Sequence, residues 1–255
     1  MADQLRVTLV QEASDLDPET NRIRLAELVP EGSDLVVLPE AFARDFGSPG
    51  SDVAPYAEPL DGPFATALTQ VAEQRGTTVV AGMFRTGEDP QRPLNTLVVR
   101  GAAEASYDKI HLYDSFGYRE SDRLSAGGWS PVVVEVGGFQ VGLMTCYDLR
   151  FPELARDLVL AGAEVLVVPA AWVAGERKVD HWLTLLRARA IENTVHVVGV
   201  GQPGPRYTGY SSAFSPLGDV LVQTGPHPGR VQAVLTREDL EAARRINPSL
   251  ANRRR

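Results

Sequence analysis

Apolar residues along this chain alternate between short continuous runs and stripes spaced three or four apart, so strands and helices are predicted in turn. Residues 6–10 and 34–38 read as strands, the second ended by Pro39 and Glu40. Between them, residues 18–29 carry a helical stripe in Ile23, Ala26 and Val29. A second helix is predicted over 64–75, closed by Gly76 as its C-cap. Strands follow at 77–84 and 94–100, joined by a turn at 87–90, and at 104–108. Residues 132–136 and 139–145 flank Gly137-Gly138 as a hairpin. A helix over 152–161 leads to a strand at 164–168 ended by Pro169, then to a helix over 180–192. Strands are predicted at 195–200, 211–214, 219–223 and 230–235. Thr236 caps a last helix, with Glu238 and Asp239 in its first turn, where the helix dipole favours them. Two segments lack periodicity: 41–61, rich in Gly, Pro and Asp, and 110–130. A loop as long as the second is usually functional. Mixed βα units and hairpins, with no low-complexity linker and no tandem repeat, predict an α/β fold. The expectation is one domain over residues 1–255, with 246–255 as a C-terminal tail.

Composition narrows the function classes. Hydrophobic residues make up 44% of the 255 and charged ones 23%, as in a globular enzyme and unlike a disordered chain. A net charge of −8 leaves no electrostatic footprint for nucleic acid or an anionic membrane. The one basic run, Arg253 to Arg255, reads as a solvated tail. The first residues go directly into a strand pattern without a charged-then-apolar leader. No apolar run reaches the roughly 18 to 20 residues of a membrane span. A single cysteine forms no internal disulfide, so a cytoplasmic protein is expected. The four histidines, His111, His181, His196 and His227, show no metal-ligand spacing; neither metal nor cofactor is expected.

Cys146 lies where the pattern switches from strand to helix. Sites in open α/β sheets sit at such carboxyl ends of strands, and free helix N–H groups favour a thiolate. The alternative is a small buried hydrophobe, the commonest fate of a lone cysteine. Two further strand ends carry reactive groups: Glu40 a carboxylate and Lys109 an amine. If the three strands are parallel neighbours, base, cation and nucleophile meet on one edge. That set suits acyl transfer through a thioester: a base takes the thiol proton, and a cation meets the carbonyl oxygen as it becomes an anion. Taken singly, the glutamate and the lysine also fit solvated turn positions.

Leu-Pro-Glu40, Tyr-Asp-Lys109-Ile-His-Leu and Cys146-Tyr-Asp-Leu-Arg-Phe-Pro-Glu153 resemble, in order and spacing, the three signature motifs of the nitrilase superfamily, the carbon–nitrogen hydrolases. The similarity continues through His181-Trp182, residues 187–193 and Gly209-Tyr-Ser211, and so spans nearly the whole chain. It implies a four-layer α-β-β-α sandwich that forms homodimers or higher homo-oligomers. It also implies roles: Glu40 as general base, Cys146 as nucleophile, Lys109 as oxyanion cation and the Tyr147 backbone N–H as second oxyanion donor. Tyr118-Arg119-Glu120 resembles the loop that carries an additional glutamate, so Glu120 would position the substrate amide and orient Lys109; Glu135 and Asp114 are its nearby alternatives. His111 is assigned to packing or loop support, and an Asp148–Arg150 pair is expected to fix the turn beside the cysteine. Cys-Tyr-Asp in place of Cys-Trp-Glu, with Tyr-Asp-Lys-Ile-His-Leu-Tyr-Asp, resembles omega-amidase and deaminated glutathione amidase. That branch implies a small amide bearing a carboxylate, with Arg119, Arg177 and Lys178 as candidate partners for it. The segment Ala171-Trp-Val-Ala-Gly-Glu-Arg-Lys departs from the omega-amidase pattern and leaves the substrate open. N-carbamoyl or nitrile hydrolysis on the same residues is the alternative chemistry, and an idle binding scaffold the alternative class. A thiol redox sensor lacks a resolving cysteine.

Overall fold

The computed structural model describes residues 3–254, so Arg255 of the terminal basic run lies outside the described residues. The strands are β1 (Gln4–Gln11), β2 (Leu35–Val37), β3 (Thr78–Arg85), β4 (Leu94–Arg100), β5 (Ala105–Asp108), β6 (Asp114–Ser115), β7 (Tyr118–Arg119), β8 (Val133–Val136), β9 (Phe139–Leu143), β10 (Val165–Ala170), β11 (His196–Gly201), β12 (Ser212–Phe214), β13 (Val220–Gln223) and β14 (Gly229–Thr236). The helices are α1 (Pro18–Leu28), α2 (Pro63–Arg75), α3 (Pro152–Leu160), α4 (Lys178–Asn193) and α5 (Arg237–Ile246). Local chemistry sets several of their ends. Asp17 accepts the N–H groups of Glu19 and Thr20 to start α1, Gly76 closes α2 in the left-handed conformation, and the Thr236 side chain caps α5.

Two six-stranded mixed sheets form, in the orders β14-β1-β2-β3-β4-β5 and β13-β12-β11-β10-β9-β8. Side chains on a strand alternate between its faces, and the first sheet uses both. Leu35, Val37, Val80, Leu97 and Val99 join the core between the sheets, whereas Val36, Val79, Ala81 and Val98 pack with Leu25, Leu68 and Val71 of α1 and α2. On the second sheet, α3 and α4 cover the far face with Leu154, Leu158, Trp182 and Leu186. A methyl group on Gly199 of β11 would lie 2.5 Å from Leu186 Cδ1, so its absence lets α4 seat close to the sheet. Truncating the fully buried Leu186 to alanine would cost about 2–5 kcal/mol. The layers run helix, sheet, sheet, helix: a four-layer α-β-β-α sandwich.

Four features differ from the sequence expectation. The strands that end near Glu40, Lys109 and Cys146 are not neighbours. β2 and β5 lie in the first sheet and run the same way, while β9 belongs to the second. β10 continues through Pro169 to Ala170. Beyond Val167 it pairs only with β11, so the missing proline N–H leaves no ladder partner unsatisfied. The aperiodic 110–130 segment contains the small β6–β7 hairpin and a 3₁₀ turn at Glu120–Asp122. Cys146 opens a 3₁₀ turn, Cys146–Arg150, that precedes α3 rather than joining it.

Candidate active site

Glu40 follows β2, where the chain presses against β3. Glu40 and Ala41 pass over Gly82, and a methyl there would meet the Ala41 nitrogen at 2.3 Å. Ala41 takes a positive φ of 54°, and Gln202 Nε2 donates to the Glu40 carbonyl at 3.0 Å. The Glu40 carboxylate is thereby fixed with three donors: Lys109 Nζ at 2.9 Å and Asn95 Nδ2 at 2.8 Å on Oε1, and the Ala171 N–H at 2.6 Å on Oε2. The extension of β10 past Pro169 is what delivers Ala171. Lys109, just beyond β5, also donates to both oxygens of Glu120, at 3.1 and 2.8 Å. Glu120 in turn accepts from the Tyr113 N–H at 2.6 Å and from Asn95 Nδ2 at 3.2 Å.

Cys146 sits beside this cluster in a left-handed conformation, φ 46°, which costs a non-glycine residue about 1–2 kcal/mol. Its Sγ faces the same cavity as Glu40 and Lys109, close enough for both charges to act on it. The N–H of Tyr147 precedes the first bond of the following turn, Asp148 N–H to the Thr145 carbonyl, and so has no acceptor within it. Glu40, Lys109, Glu120 and Cys146 are all buried. Burial, with the Glu40 charge added, pushes the Cys146 thiol well above its ordinary range, so the resting sulfur keeps its proton. Burial opposes the Lys109 charge too, but Glu120 and Glu40 outweigh it and hold the ammonium well above the usual lysine value.

These groups form one wall of a cavity of about 650 Å³. Phe46, Tyr113, Phe116, Tyr118, Trp172 and Tyr207 supply its aromatic surface, and Lys178 and Arg206 its further cations. A buried thiol near a carboxylate and an ammonium, on the wall of an open cavity, has the parts for nucleophilic attack on a carbonyl-type carbon.

The sequence profile of carbon-nitrogen hydrolases matches residues 6–245. The chain belongs to the carbon-nitrogen hydrolase family. It is a hydrolase of non-peptide carbon–nitrogen bonds. Among relatives, it is 39% identical to the deaminated glutathione amidase of Escherichia coli O157:H7, over 99% of this chain and 96% of that one. It is 34% identical to the mouse deaminated glutathione amidase, over 97% and 83% of the two chains. A carbon–nitrogen hydrolase superfamily protein of Xanthomonas campestris, solved with an arsenic adduct in its active site, superposes with a TM-score of 0.88. It is 30% identical, over 99% of this chain and 98% of that one. A glutamate-to-glutamine mutant of the amidase from Nesterenkonia sp. AN1 superposes at 0.79 with 28% identity, over 99% and 95%. In it, the acetamide moiety of fluoroacetamide is covalently added at the active site cysteine.

Within this hydrolase fold, the residues singled out from sequence divide in two. Glu40, Lys109, Glu120, Cys146 and Lys178 line the cavity, and Tyr147 follows the cysteine. Arg119 and Arg177 do not. Both are exposed, Arg119 paired with Asp122 at 3.5 Å and Arg177 with Glu176 at 3.8 Å; Arg119 stands between Tyr118 and Glu120, which both line the cavity, so side-chain alternation turns it away. Of the alternatives to Glu120, Glu135 is an exposed residue of β8 and Asp114 binds Ser121 on the surface. The expected Asp148–Arg150 pair does not form. Asp148 is enclosed by four donors from other residues, while Arg150 lies over Trp172 at 4.9 Å. Sequence reasoning missed Asn95, which looks like any polar residue of a strand. It also missed Arg206, whose charge is taken up by Asp45 at 2.7 Å. Tyr113 and Phe116 were within reach, since both lie in the long aperiodic segment. Among the described residues no cluster of side chains suits a metal ion, and no helix is long and apolar enough to cross a membrane.

Proposed function

We propose that this chain hydrolyses a small, carboxylate-bearing amide to an acid and ammonia through a thioester on Cys146. What supports this most is the convergence of Glu40, Lys109 and Cys146, from three separated strand ends, at one cavity wall. Glu40 takes the thiol proton as sulfur attacks the amide carbon. The carbonyl oxygen, gaining charge, is met by Lys109 Nζ and the Tyr147 N–H. Glu40 passes the proton to nitrogen and ammonia departs. Water, deprotonated by Glu40, then cleaves the thioester. Glu120 holds Lys109 by both oxygens and presents a carboxylate to the substrate amide N–H₂. The cysteine adduct in the Nesterenkonia amidase and the naming of the relatives from E. coli and mouse support the same chemistry.

For the substrate carboxylate the candidate is Lys178. Its Nζ reaches Tyr113 Oη at 3.1 Å and lies 3.9 Å over the Phe116 ring, with no acidic partner among the described residues. Arg150 faces the same Phe116 and Trp172 rings and adds positive charge. Burial and that neighbour pull the Lys178 pKa down, and an incoming carboxylate would reverse the effect. We further propose a cytoplasmic homodimer. The family resemblance supports the dimer, and a single cysteine suits a reducing compartment. The test is ammonia release from monoamides of dicarboxylic acids and from neutral amides of matched length. The reading expects faster release from the carboxylates; no release from any amide would sink it.

A further inference from the structure

Asp148 is fully buried and takes no part in the chemistry just described, yet both of its oxygens are spent on two different strand ends. Oδ1 accepts from the His111 N–H at 3.0 Å and is 2.8 Å from His111 Nδ1. Oδ2 accepts from Tyr107 Oη at 2.7 Å and from the Thr145 N–H at 2.9 Å. Tyr107 and His111 stand two residues before and two after Lys109, and Thr145 immediately precedes Cys146. One carboxylate therefore ties the lysine segment of the first sheet to the cysteine turn of the second. The surroundings brace it further. Ile110 N–H reaches Tyr107 Oη at 3.4 Å, and His111 is stacked on Phe151 with ring centres 3.7 Å apart. β5 and β9 share no hydrogen-bonded ladder, so nothing in either sheet fixes the distance between Lys109 and Cys146.

We propose that Asp148 is a positioning residue that sets the placement of Lys109 relative to Cys146, with Tyr107 and His111 as the other half of the clamp. This rests on the thioester reading. Asparagine at 148 would keep the shape but face two donors with an N–H₂ group, breaking half the clamp. A shift on the order of 1 Å between oxyanion cation and nucleophile costs about a hundred-fold in rate.

The test uses the p-nitrophenyl ester of a short acid, which acylates a thiol without needing an amide to be cleaved. The S–acyl bond forms, the C–O bond breaks, nitrophenolate leaves with the electron pair, and the thiol proton goes to Glu40. The acylation rate is measured for native protein, Asp148→Asn, Lys109→Met and the double variant, with thermal unfolding alongside. The expected result is a loss of about a hundred-fold for Asp148→Asn in the native background and under about three-fold in Lys109→Met, because contacts that act as a unit are not additive. Equal losses in both backgrounds, or no loss in the native one, would overturn the proposal. If Asp148→Asn does not fold, Tyr107→Phe and His111→Gln carry the same cycle, each expected to lose about three- to ten-fold only where Lys109 is present. Native protein that acylates from the ester but hydrolyses no amide sinks the amidase reading and leaves the clamp tested.

Discussion

Replacing Gly82 by alanine tests whether Glu40, the proposed base, is placed by the close contact between β3 and the chain after β2. The added methyl would lie 2.3 Å from the Ala41 nitrogen and 2.8 Å from both Cα and C of Glu40, all backbone atoms. Carbon contacts settle at about 3.5 Å, so the Glu40 segment must move by roughly 1 Å. Overpacking of this kind costs about 1–3 kcal/mol. Against a native stability on the order of 5–15 kcal/mol, nearly all of the variant stays folded at 25 °C. A change in kcat then reports geometry rather than unfolding. Glu40 would leave Lys109 Nζ and the Ala171 N–H, now at 2.9 and 2.6 Å, and kcat should fall about a hundred-fold or more. The assay pairs steady-state ammonia release with thermal unfolding. Gly128→Ala is the control, since nothing lies within 4 Å of a methyl there. A Gly82→Ala protein within two-fold of native kcat would refute the dependence of Glu40 on this contact.

Lys178→Met should lower kcat/KM for a carboxylated amide relative to its neutral counterpart by about ten- to a hundred-fold, the worth of one charge-assisted hydrogen bond; an unchanged ratio would move the carboxylate elsewhere. Arg119→Ala and Arg177→Ala, both on exposed side chains, should leave kcat/KM within about two-fold, and a loss selective for carboxylated substrates would show that these arginines reach the cavity. Asn95→Leu removes the donor shared by Glu40 and Glu120 and should cost about 1–3 kcal/mol in urea unfolding. Stability should fall as pH rises above about 9. Folded Cys146 and Tyr107, both raised, keep protons that the unfolded chain loses above their ordinary 9.0 and 10.0. Each group gives a slope of about 1.4 kcal/mol per pH unit. Cys146→Ser should remove the earlier part of that fall.

Much of the fold was legible because the local signals agreed with the tertiary ones. The run at residues 34–38, the Gly76 stop and the Thr236 cap each act within a few residues, and each appears where periodicity and capping place it. Pro169 misled because its effect on a strand depends on which neighbour lies beside it, and that is a property of the sheet. The candidate site divides the same way. Glu40, Lys109 and Cys146 stand out in the sequence through their motifs and line one cavity, but their assembly from two sheets could not be read, since strand order is not written in periodicity. Arg119 and Lys178 looked equivalent as basic loop residues. Only packing against Phe116 and Tyr113 separates the one on the cavity from the one in solvent. Asp148 resembled a partner for Arg150 in sequence. Its actual donors come from thirty-seven to forty-one residues away as well as from its own turn.

The proposed hydrolysis requires an acyl group to pass through the Cys146 sulfur. Native protein mixed with a carboxylated amide, quenched in acid and digested, should yield the Cys146 peptide heavier by the acyl group, and Cys146→Ala should yield neither that mass nor ammonia while melting as the native protein does. Ammonia release at the native rate from Cys146→Ala would contradict it.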